Sequence, residues 1–267
     1  MSTKKIAFLG SGKMATAIAG GMVKKNSWPA SDILATDKFE LALDQFIATT
    51  GGQAYQDLGK MAADADILVL AVKPQDATAL FEGLKGLEDK LLVSIAAGIK
   101  IEQLIAWSGC QRVIRVMPNT PALVNEGMSV FSSSDAVLDT DKADVQTILE
   151  AIGVCFELPE SNMDAVTAVS GSGPAFLFRY VESMIVGAAE LDLPEEVIET
   201  LVVQTVFGAA TMLQQKIDTP SRLREAVTSK GGTTAAGLNK LSMLNFENTL
   251  AACLKAARDR SIELGAS

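Results

Sequence analysis

The chain has 267 residues, 48% of them hydrophobic, which supports two domains with their own cores at roughly 100 to 200 residues per domain. Its formal net charge of -9, without any basic run of five or more residues, argues against nucleic-acid binding. It contains no histidine, which excludes Ser-His-Asp hydrolysis, histidine-ligated metals and acid–base catalysis by histidine.

The N-terminal segment has the order strand, glycine turn, helix. An apolar run at residues 6–9 precedes a Gly-Ser-Gly turn, and an Ala-rich helical pattern follows at 14–25. Gly10 permits the turn, Gly12 lets a pyrophosphate approach the backbone, and Ala15 lets the helix pack close to the strand. The segment predicts a dinucleotide site, and a mere tight strand-to-helix turn is the alternative.

The second predicted strand, residues 32–36, ends at Asp37, where dinucleotide-binding folds place the acid that holds the adenosine ribose. A carboxylate there accepts from both ribose hydroxyls and repels a 2′-phosphate, so Asp37 favours NADH. The ammonium of Lys38 could pair with such a phosphate and Thr36 could donate to one, so the choice between NADH and NADPH stays open. An N-cap ahead of a helix at 39–46 is the alternative role for Asp37.

Between Asp37 and residue 160, short apolar runs alternate with helical patterns, as in folds with a parallel sheet. The run ILVLAV is apolar on both faces, which is typical of a buried parallel strand. The predicted strands are residues 53–55, 67–72, 91–95, 112–117, 128–132 and 154–158. The predicted helices end near 49 and 61, span about 75–84 and 140–152, and begin at 101.

Three segments follow predicted strands and should open onto one cleft, because the carboxyl ends of parallel strands form the ligand crevice. They are residues 71–74 (AVKP), 95–98 (IAAG) and 117–121 (MPNTP). Lys73 and Asn119 could meet the nicotinamide ribose or the substrate there. A surface lysine after a strand is the alternative for Lys73.

Beyond Ser161 only helical periods remain, at 174–191, 194–216, 219–228, 233–241 and 246–264. Pro194 fits the first turn of a helix. The many small apolar positions favour a packed core and a subunit interface, so we predict dimerisation through this region. The fold class is α/β, with a Rossmann dinucleotide-binding domain at 1–160 and an all-helical substrate and dimerisation domain at 161–267.

Two segments rich in serine and glycine precede predicted helices and could bind an anion. Residues 169–175 (VSGSGPA) predict a turn with free amides at a helix start. Residues 229–234 (SKGGTT) predict a tight turn, whose glycines aim hydroxyls and the first free amides of a helix at one point. This second turn predicts a carboxylate cradle, and an ordinary interhelical turn with a Ser/Thr cap is the alternative.

The three cysteines, Cys110, Cys155 and Cys253, are scattered among apolar residues, so we interpret them as reduced core thiols and expect no metal site. The segment MSTKKIAFLG passes directly into a strand and not into a signal-peptide core. We also expect no apolar stretch of the roughly 18 residues that a membrane span needs. These features predict a cytoplasmic protein.

Six sequence blocks, in order and covering almost the whole chain, carry a family resemblance. They are GSGKMATAIAGG, AVKPQ, SIAAG, VMPNTPALVNEGM, VSGSGPAF and VTSKGGTTAAGL. Together they resemble pyrroline-5-carboxylate reductase, the last enzyme of proline biosynthesis. The resemblance implies a Rossmann domain followed by a helical domain that interleaves with its partner in a homodimer, with a ring of dimers as the larger assembly.

The resemblance implies reduction of 1-pyrroline-5-carboxylate to L-proline by NADPH or NADH. A protonated cyclic imine accepts hydride readily, so positioning is the main task and Thr234, beside the ring nitrogen, is the candidate catalytic residue. The candidate substrate residues are Glu160, Ser172, Ser229, Gly231, Gly232, Thr233 and Thr234. The candidate cofactor residues are Leu9, Gly10, Ser11, Gly12, Lys13, Met14, Asp37, Ala71, Val72, Lys73, Pro74, Ile95, Ala96 and Ala97.

The chain departs from many relatives at two positions: Lys230 stands where they have proline, and Asp37 where many have Ser or Thr. Two other functions share some of these features. β-Hydroxyacid and 6-phosphogluconate dehydrogenases have the same plan but need a catalytic lysine on the first long helix of the helical domain, and residues 174–191 contain none. A dinucleotide-binding sensor without turnover would have no need of a carboxylate cradle.

Overall fold

The computed structural model describes residues 4–265, and its contacts divide the chain into two compact units. The first unit extends to Ser172 and also contains the chain from Ala257 onward, while the second comprises Gly173–Ala256. Ser261 donates its hydroxyl to Asp164 at 2.6 Å, which attaches the end of the last helix to the first unit. The division by contacts therefore lies later in the chain than the domain boundary that we predict at residue 160.

The first unit contains eight strands, among them every strand that the sequence predicts. They are β1 (Ile6–Leu9), β2 (Ile33–Thr36), β3 (Gln53–Ala54), β4 (Ile67–Leu70), β5 (Leu91–Ser94), β6 (Arg112–Met117), β7 (Gly127–Ser133) and β8 (Gly153–Glu157). They form one sheet in the order β3-β2-β1-β4-β5-β6-β7-β8. Strands β1 to β6 are parallel, β7 is antiparallel to β6, and β8 is parallel to β7. This is the Rossmann order, whose switch point lies at β1.

Both faces of the sheet are buried at β1 and β4, which explains why these two strands have no polar position. Along β1, Ile6 and Phe8 belong to one hydrophobic core, and Ala7 and Leu9 belong to the core on the other face. Strand β4 alternates between the two cores in the same way. Burial on both faces is what the continuous apolar runs predict for parallel strands.

Among the described residues of the first unit, seven α-helices connect these strands or follow them; the first six lie at or near the predicted positions, and the sequence does not predict the seventh. They are α1 (Lys13–Lys24), α2 (Glu40–Thr50), α3 (Leu58–Asp64), α4 (Pro74–Glu82), α5 (Ile101–Ser108), α6 (Asp139–Glu150) and α7 (Met163–Val166). Helices α2 and α5 each end at a left-handed glycine, Gly51 and Gly109, which is a common helix terminator.

The second unit is entirely helical, as the sequence predicts. Its helices are α8 (Gly173–Ala188), α9 (Glu195–Gln214), α10 (Pro220–Ala226), α11 (Thr233–Met243) and α12 (Phe246–Gly265), the last of which ends in the first unit. Pro194 occupies the N-cap position of α9, so the prediction that it lies in the first helical turn is wrong by one residue.

Within Gly173–Ala256, all of which the structure describes, the only buried hydrophobic residues are Ile198 and Val202. Large apolar side chains such as Phe178, Val186 and Phe207 are each at least 60% exposed. A single copy of this unit therefore has too little buried apolar surface to offset the entropy lost on ordering its helices. Its exposed apolar faces are typical of a surface that another protein covers.

Helix α9 corrects one expectation. Its 20 residues reach a mean hydropathy of 1.3 with at most two charged residues in an 18-residue window, so it could cross a membrane by length and composition. We expect from the sequence no apolar stretch long enough to span a membrane, and this expectation is wrong for α9 by length and composition. The same properties suit a helix that packs in a protein interface, so they do not by themselves distinguish the two environments.

The three cysteines are free thiols. Cys110 is buried with its Sγ 3.1 Å from the carbonyl oxygen of Leu87, and burial raises the pKa of this thiol. Cys155 and Cys253 are half-buried, so the interpretation as a core thiol is confirmed for Cys110 alone. Among residues 4–265 no group of three or more Cys, Asp or Glu side chains could hold a metal ion.

Candidate active site

The turn after β1 has the backbone that the glycine pattern predicts. Gly10 has a φ of +100°, and a Cβ there would stand 2.9 Å from the carbonyl oxygen of Ala71. Gly12 is the N-cap of α1, receives no side-chain cap, and has no atom within 4 Å of the position a Cβ would take. The first amides of α1 therefore receive no side-chain cap, and open space lies beside Gly12, as at helix starts that bind anions.

An open groove of about 850 Å³ begins at this glycine turn. Ser11, Gly12 and Lys13 line one end, and the groove continues over small residues of α1 and α2 such as Ala17 and Ala48. Because this groove is open, a molecule in solution can reach the amides at the start of α1.

The Asp37 carboxylate is bound within the chain. Its Oδ2 accepts from the amide of Ser11 at 2.7 Å and from the Ser11 hydroxyl at 3.0 Å, and its Oδ1 accepts from the amide of Phe39 at 2.9 Å. Since a carboxylate oxygen accepts about two hydrogen bonds, one position on Oδ1 stays available for a ribose hydroxyl. Helix α2 begins at Glu40 with Phe39 at its N-cap, so the alternative role of Asp37 as the N-cap is wrong.

Lys38 forms an ion pair with Asp76 across two loops of the sheet edge. Its Nζ lies 3.1 Å from Oδ1 of Asp76, in the first turn of α4, and 5.3 Å from the centroid of the Phe39 ring. Sequence gives no signal for this pair, because the two residues are 38 positions apart. Lys73 is the exposed N-cap residue of α4 and Pro74 is at the first position of that helix.

The predicted cofactor segments lie together at one edge of the sheet, because β1, β2, β4 and β5 are parallel and adjacent. Residues 9–14, 37, 71–74 and 95–97 follow these strands directly. In the third loop Ala96 is buried, Ala97 is exposed and Gly98 has a φ of +80°. The structure thus brings all of the candidate cofactor residues to the edge where such folds bind dinucleotides.

Asn119 and Glu160 both make bonds within the first unit. The Asn119 side chain donates to the carbonyl of Ser170 at 3.1 Å and accepts from the amide of Met128 at 2.8 Å. Glu160 Oε1 accepts from the amide of Ile101 at 2.9 Å and pairs with the buried Arg115 at 3.0 Å. Glu160 therefore stabilises the start of α5, which follows the loop that contains Ala96 and Ala97.

The prediction of a turn at residues 169–175 is wrong for residues 169–172. Residues 167–171 form one turn of π-helix directly after α7, and Ser172 keeps a right-handed helical conformation. The amide of Ser172 donates to the carbonyl of Thr167 at 2.8 Å, so it is not free for a ligand. Gly171 serves packing instead, because a Cβ there would stand 2.5 Å from the Met117 methyl group.

The turn at residues 229–234 has the predicted form. Gly231 has a φ of +72°, and Gly232, whose amide donates to the Ser229 carbonyl at 3.0 Å, is the N-cap of α11. No side chain caps this helix, so the alternative of an ordinary Ser/Thr-capped turn is wrong. The amides of Thr233 and Thr234 at the first positions of α11 lack intrahelical partners, as at every helix start. The Thr234 side chain is half-buried, whereas Ser229 and Thr233 are exposed.

Comparison with known proteins gives matches along the whole chain. A family model described as pyrroline-5-carboxylate reductase dimerisation matches residues 160–264, and one described as NADP oxidoreductase, coenzyme F420-dependent, matches residues 5–98. Pyrroline-5-carboxylate reductase of Arabidopsis thaliana is 39% identical over 98% of this chain and 96% of that protein. The enzyme of Pseudomonas aeruginosa is 38% identical over 99% and 98%, respectively.

Solved structures agree with these sequence matches. The structure of a pyrroline-5-carboxylate reductase from Coxiella burnetii superimposes with a TM-score of 0.91 at 33% identity, covering 98% of this chain and 99% of that one. The Plasmodium falciparum pyrroline carboxylate reductase, solved with NADP bound, gives a TM-score of 0.88 at 32% identity, covering 99% of both chains.

Proposed function

Because this chain belongs to the pyrroline-5-carboxylate reductase family, we infer that it reduces 1-pyrroline-5-carboxylate to L-proline, the last step of proline biosynthesis. The observation that carries this conclusion is the identity of 39% over 98% of the chain. NADPH or NADH, when bound, supplies the hydride that reduces the carbon–nitrogen double bond. The absence of histidine is compatible with this reaction, because a protonated imine needs positioning more than acid catalysis.

The glycine turn after β1 is our proposed pyrophosphate site. Its support is the uncapped N-terminus of α1 and the open space above Gly12. Asp37 would accept from one ribose hydroxyl through the free position on Oδ1, while its other bonds hold Ser11 and Phe39. The loops at residues 71–74 and 95–97 would contact the rest of the dinucleotide, because they share this edge of the sheet.

We propose that the turn at residues 229–234 binds the substrate carboxylate. The turn offers the first amides of α11, which no side chain caps, and the hydroxyl groups of Ser229, Thr233 and Thr234 at a helix start, where the dipole favours an anion. A single helix-terminus contact is worth about 0.3 to 2 kcal/mol, so several donors are needed to hold a small substrate. The hydroxyl of Thr234 would donate to or accept from the ring nitrogen and keep the proton at that atom.

We propose different roles for Glu160 and Ser172. Glu160 already binds Arg115 and the Ile101 amide, so we propose that it positions the loop after β5 and does not contact the reacting atoms. The Ser172 hydroxyl is half-buried and remains a proposed substrate contact.

The family match to a dimerisation region supports a homo-oligomer, and the exposed apolar faces of α8 and α9 agree with it. We propose that α9 is covered in that interface and does not enter a membrane. We also propose that the dimers assemble into a ring and that the protein is cytoplasmic.

The reaction is tested by adding 1-pyrroline-5-carboxylate to the purified protein with NADH or NADPH, following nicotinamide absorbance and measuring proline by amino-acid analysis. We expect cofactor oxidation and proline formation in equal amounts. Binding of the cofactor without oxidation in either assay would favour the sensor function and contradict this proposal.

A further inference from the structure

A second acid lies beside the cation that follows β2. Lys38 Nζ is 3.1 Å from Asp76 Oδ1, although the two side chains come from different loops of the sheet edge. Strands β2 and β4 flank β1 on its two sides, so the loops after them meet at this edge. Asp76 therefore follows the strand on one side of β1 and Asp37 the strand on the other, at the edge where we propose that the dinucleotide binds.

The position of Asp76 stabilises its negative charge. It lies in the first turn of α4, whose N-cap, Lys73, gives no side-chain cap. Carboxylates are favoured at a helix N-terminus, because the unpaired amides and the helix dipole are positive there. The ammonium of Lys38 also lies 5.3 Å from the Phe39 ring centroid, a cation–π contact that further restricts where this lysine can point.

We propose that Asp76 is a specificity-determining residue that disfavours NADPH. In folds of this type a 2′-phosphate is received by a basic side chain just after the second strand, and Lys38 is the cation at that place. Asp76 pairs with this ammonium, and Asp37, the residue before Lys38, is a second acid at this edge of the sheet. A doubly charged 2′-phosphate would have to displace Asp76 and then lie near both acids, whereas the 2′-hydroxyl of NADH meets neither cost.

The inference rests on the proposed function only in placing a dinucleotide at this edge, so its test uses binding without turnover. Calorimetry measures the affinities of NADP⁺ and NAD⁺ for the wild-type protein and for Asp76→Asn. We expect Asp76→Asn to tighten NADP⁺ binding about twofold to fivefold, the size expected for an exposed ion pair, with NAD⁺ affinity nearly unchanged. The gain should shrink as salt is raised, because exposed charges are screened.

Two further variants identify the cause. Glu82→Gln removes the same charge from the exposed end of α4 and should leave both affinities unchanged. In a Lys38→Met background, Asp76→Asn should gain less for NADP⁺ than it does with Lys38 present, because no ammonium is released. Equal tightening of NADP⁺ and NAD⁺ by Asp76→Asn, or the same gain from Glu82→Gln, would overturn the proposal.

The outcomes distinguish a failure of the proposed role of Asp76 from a failure of the proposed reaction. If NAD⁺ binds but no imine is reduced, the proposed reaction fails and the NADP⁺ to NAD⁺ affinity ratio still decides the role of Asp76. If the imine is reduced and that ratio does not respond to Asp76→Asn, the role of Asp76 is refuted while the reaction stands.

Discussion

Thr234 is the residue whose side chain should matter most to the chemical step. Thr234→Ala removes the hydroxyl that we propose bonds the ring nitrogen as its charge changes, so we expect kcat to fall about tenfold to a hundredfold. Cofactor affinity should not change, since that site lies on other loops. Steady-state kinetics and NADH titration check both parts. Thr249→Ala, which removes an exposed hydroxyl bonded to its own helix, is the control. Wild-type kinetics for Thr234→Ala would remove this residue from the site.

Asp37 combines two roles that one substitution can separate. Asp37→Asn keeps an oxygen that can accept from the Ser11 amide but removes the charge that repels a 2′-phosphate. We expect the ratio of kcat/KM for NADPH over NADH to rise at least about tenfold, which corresponds to about 1.4 kcal/mol. Asp37→Ser loses the Ser11 bonds as well and should also weaken NADH. An unchanged ratio in both variants contradicts the role of Asp37 in cofactor choice.

For single residues, the sequence predicts which residue types a site contains. It does not predict which residues far away in the chain they bond with. The glycine turn, Asp37 and the Ser229 to Thr234 turn are evident from local patterns, because each depends on neighbours in the chain. The Lys38–Asp76 and Arg115–Glu160 pairs and the bonds of Asn119 join residues far apart in sequence. No local pattern predicts such pairs, since they depend on how the strands are ordered in the sheet.

The turn before α11 depends on one left-handed residue. Gly231→Ala puts a Cβ on a residue with φ +72°, which costs about 1 to 3 kcal/mol and should distort the amides that we propose hold the carboxylate. We expect a raised KM for the imine and a lower melting temperature. Gly237→Ala, within α11 and with nothing close to the added Cβ, should be neutral or stabilising. Equal effects of both substitutions on KM would contradict the importance of this turn.

Helices and strands were predictable where the pattern of apolar residues determines them. They were not predictable where a glycine serves close packing and not a turn. Strands such as β1 and β4 are predictable because burial on both sheet faces demands continuous apolar runs, whereas β3 and β8 are largely exposed. The Ser/Gly segment at residues 169–175 reads as a turn, yet Gly171 serves close packing against Met117 inside a helical stretch. A segment rich in serine and glycine has the same composition whether it forms a turn or packs closely within a helix, so composition does not distinguish these two structures.

For the whole molecule, the second unit should depend on a partner. Phe207 on α9 is 64% exposed in the single chain and lies within the matched dimerisation region. Phe207→Glu should therefore yield monomers and lower the melting temperature, because a charge would be buried unpaired in the interface. Light scattering after size exclusion measures the mass. Leu41→Glu, at a similarly exposed apolar site outside that region, should stay oligomeric. An oligomer that survives Phe207→Glu but not Leu41→Glu would place the interface elsewhere.

The central claim for the whole molecule is that the turn at residues 229–234 receives the carboxylate of the imine. A crystal structure of the protein with bound cofactor and proline tests it most directly. We predict that the proline carboxylate accepts hydrogen bonds from the amides at the start of α11 and that the Thr234 hydroxyl lies beside the ring nitrogen. A proline bound elsewhere, with this turn free of ligand, would contradict the proposal that the turn receives the substrate carboxylate.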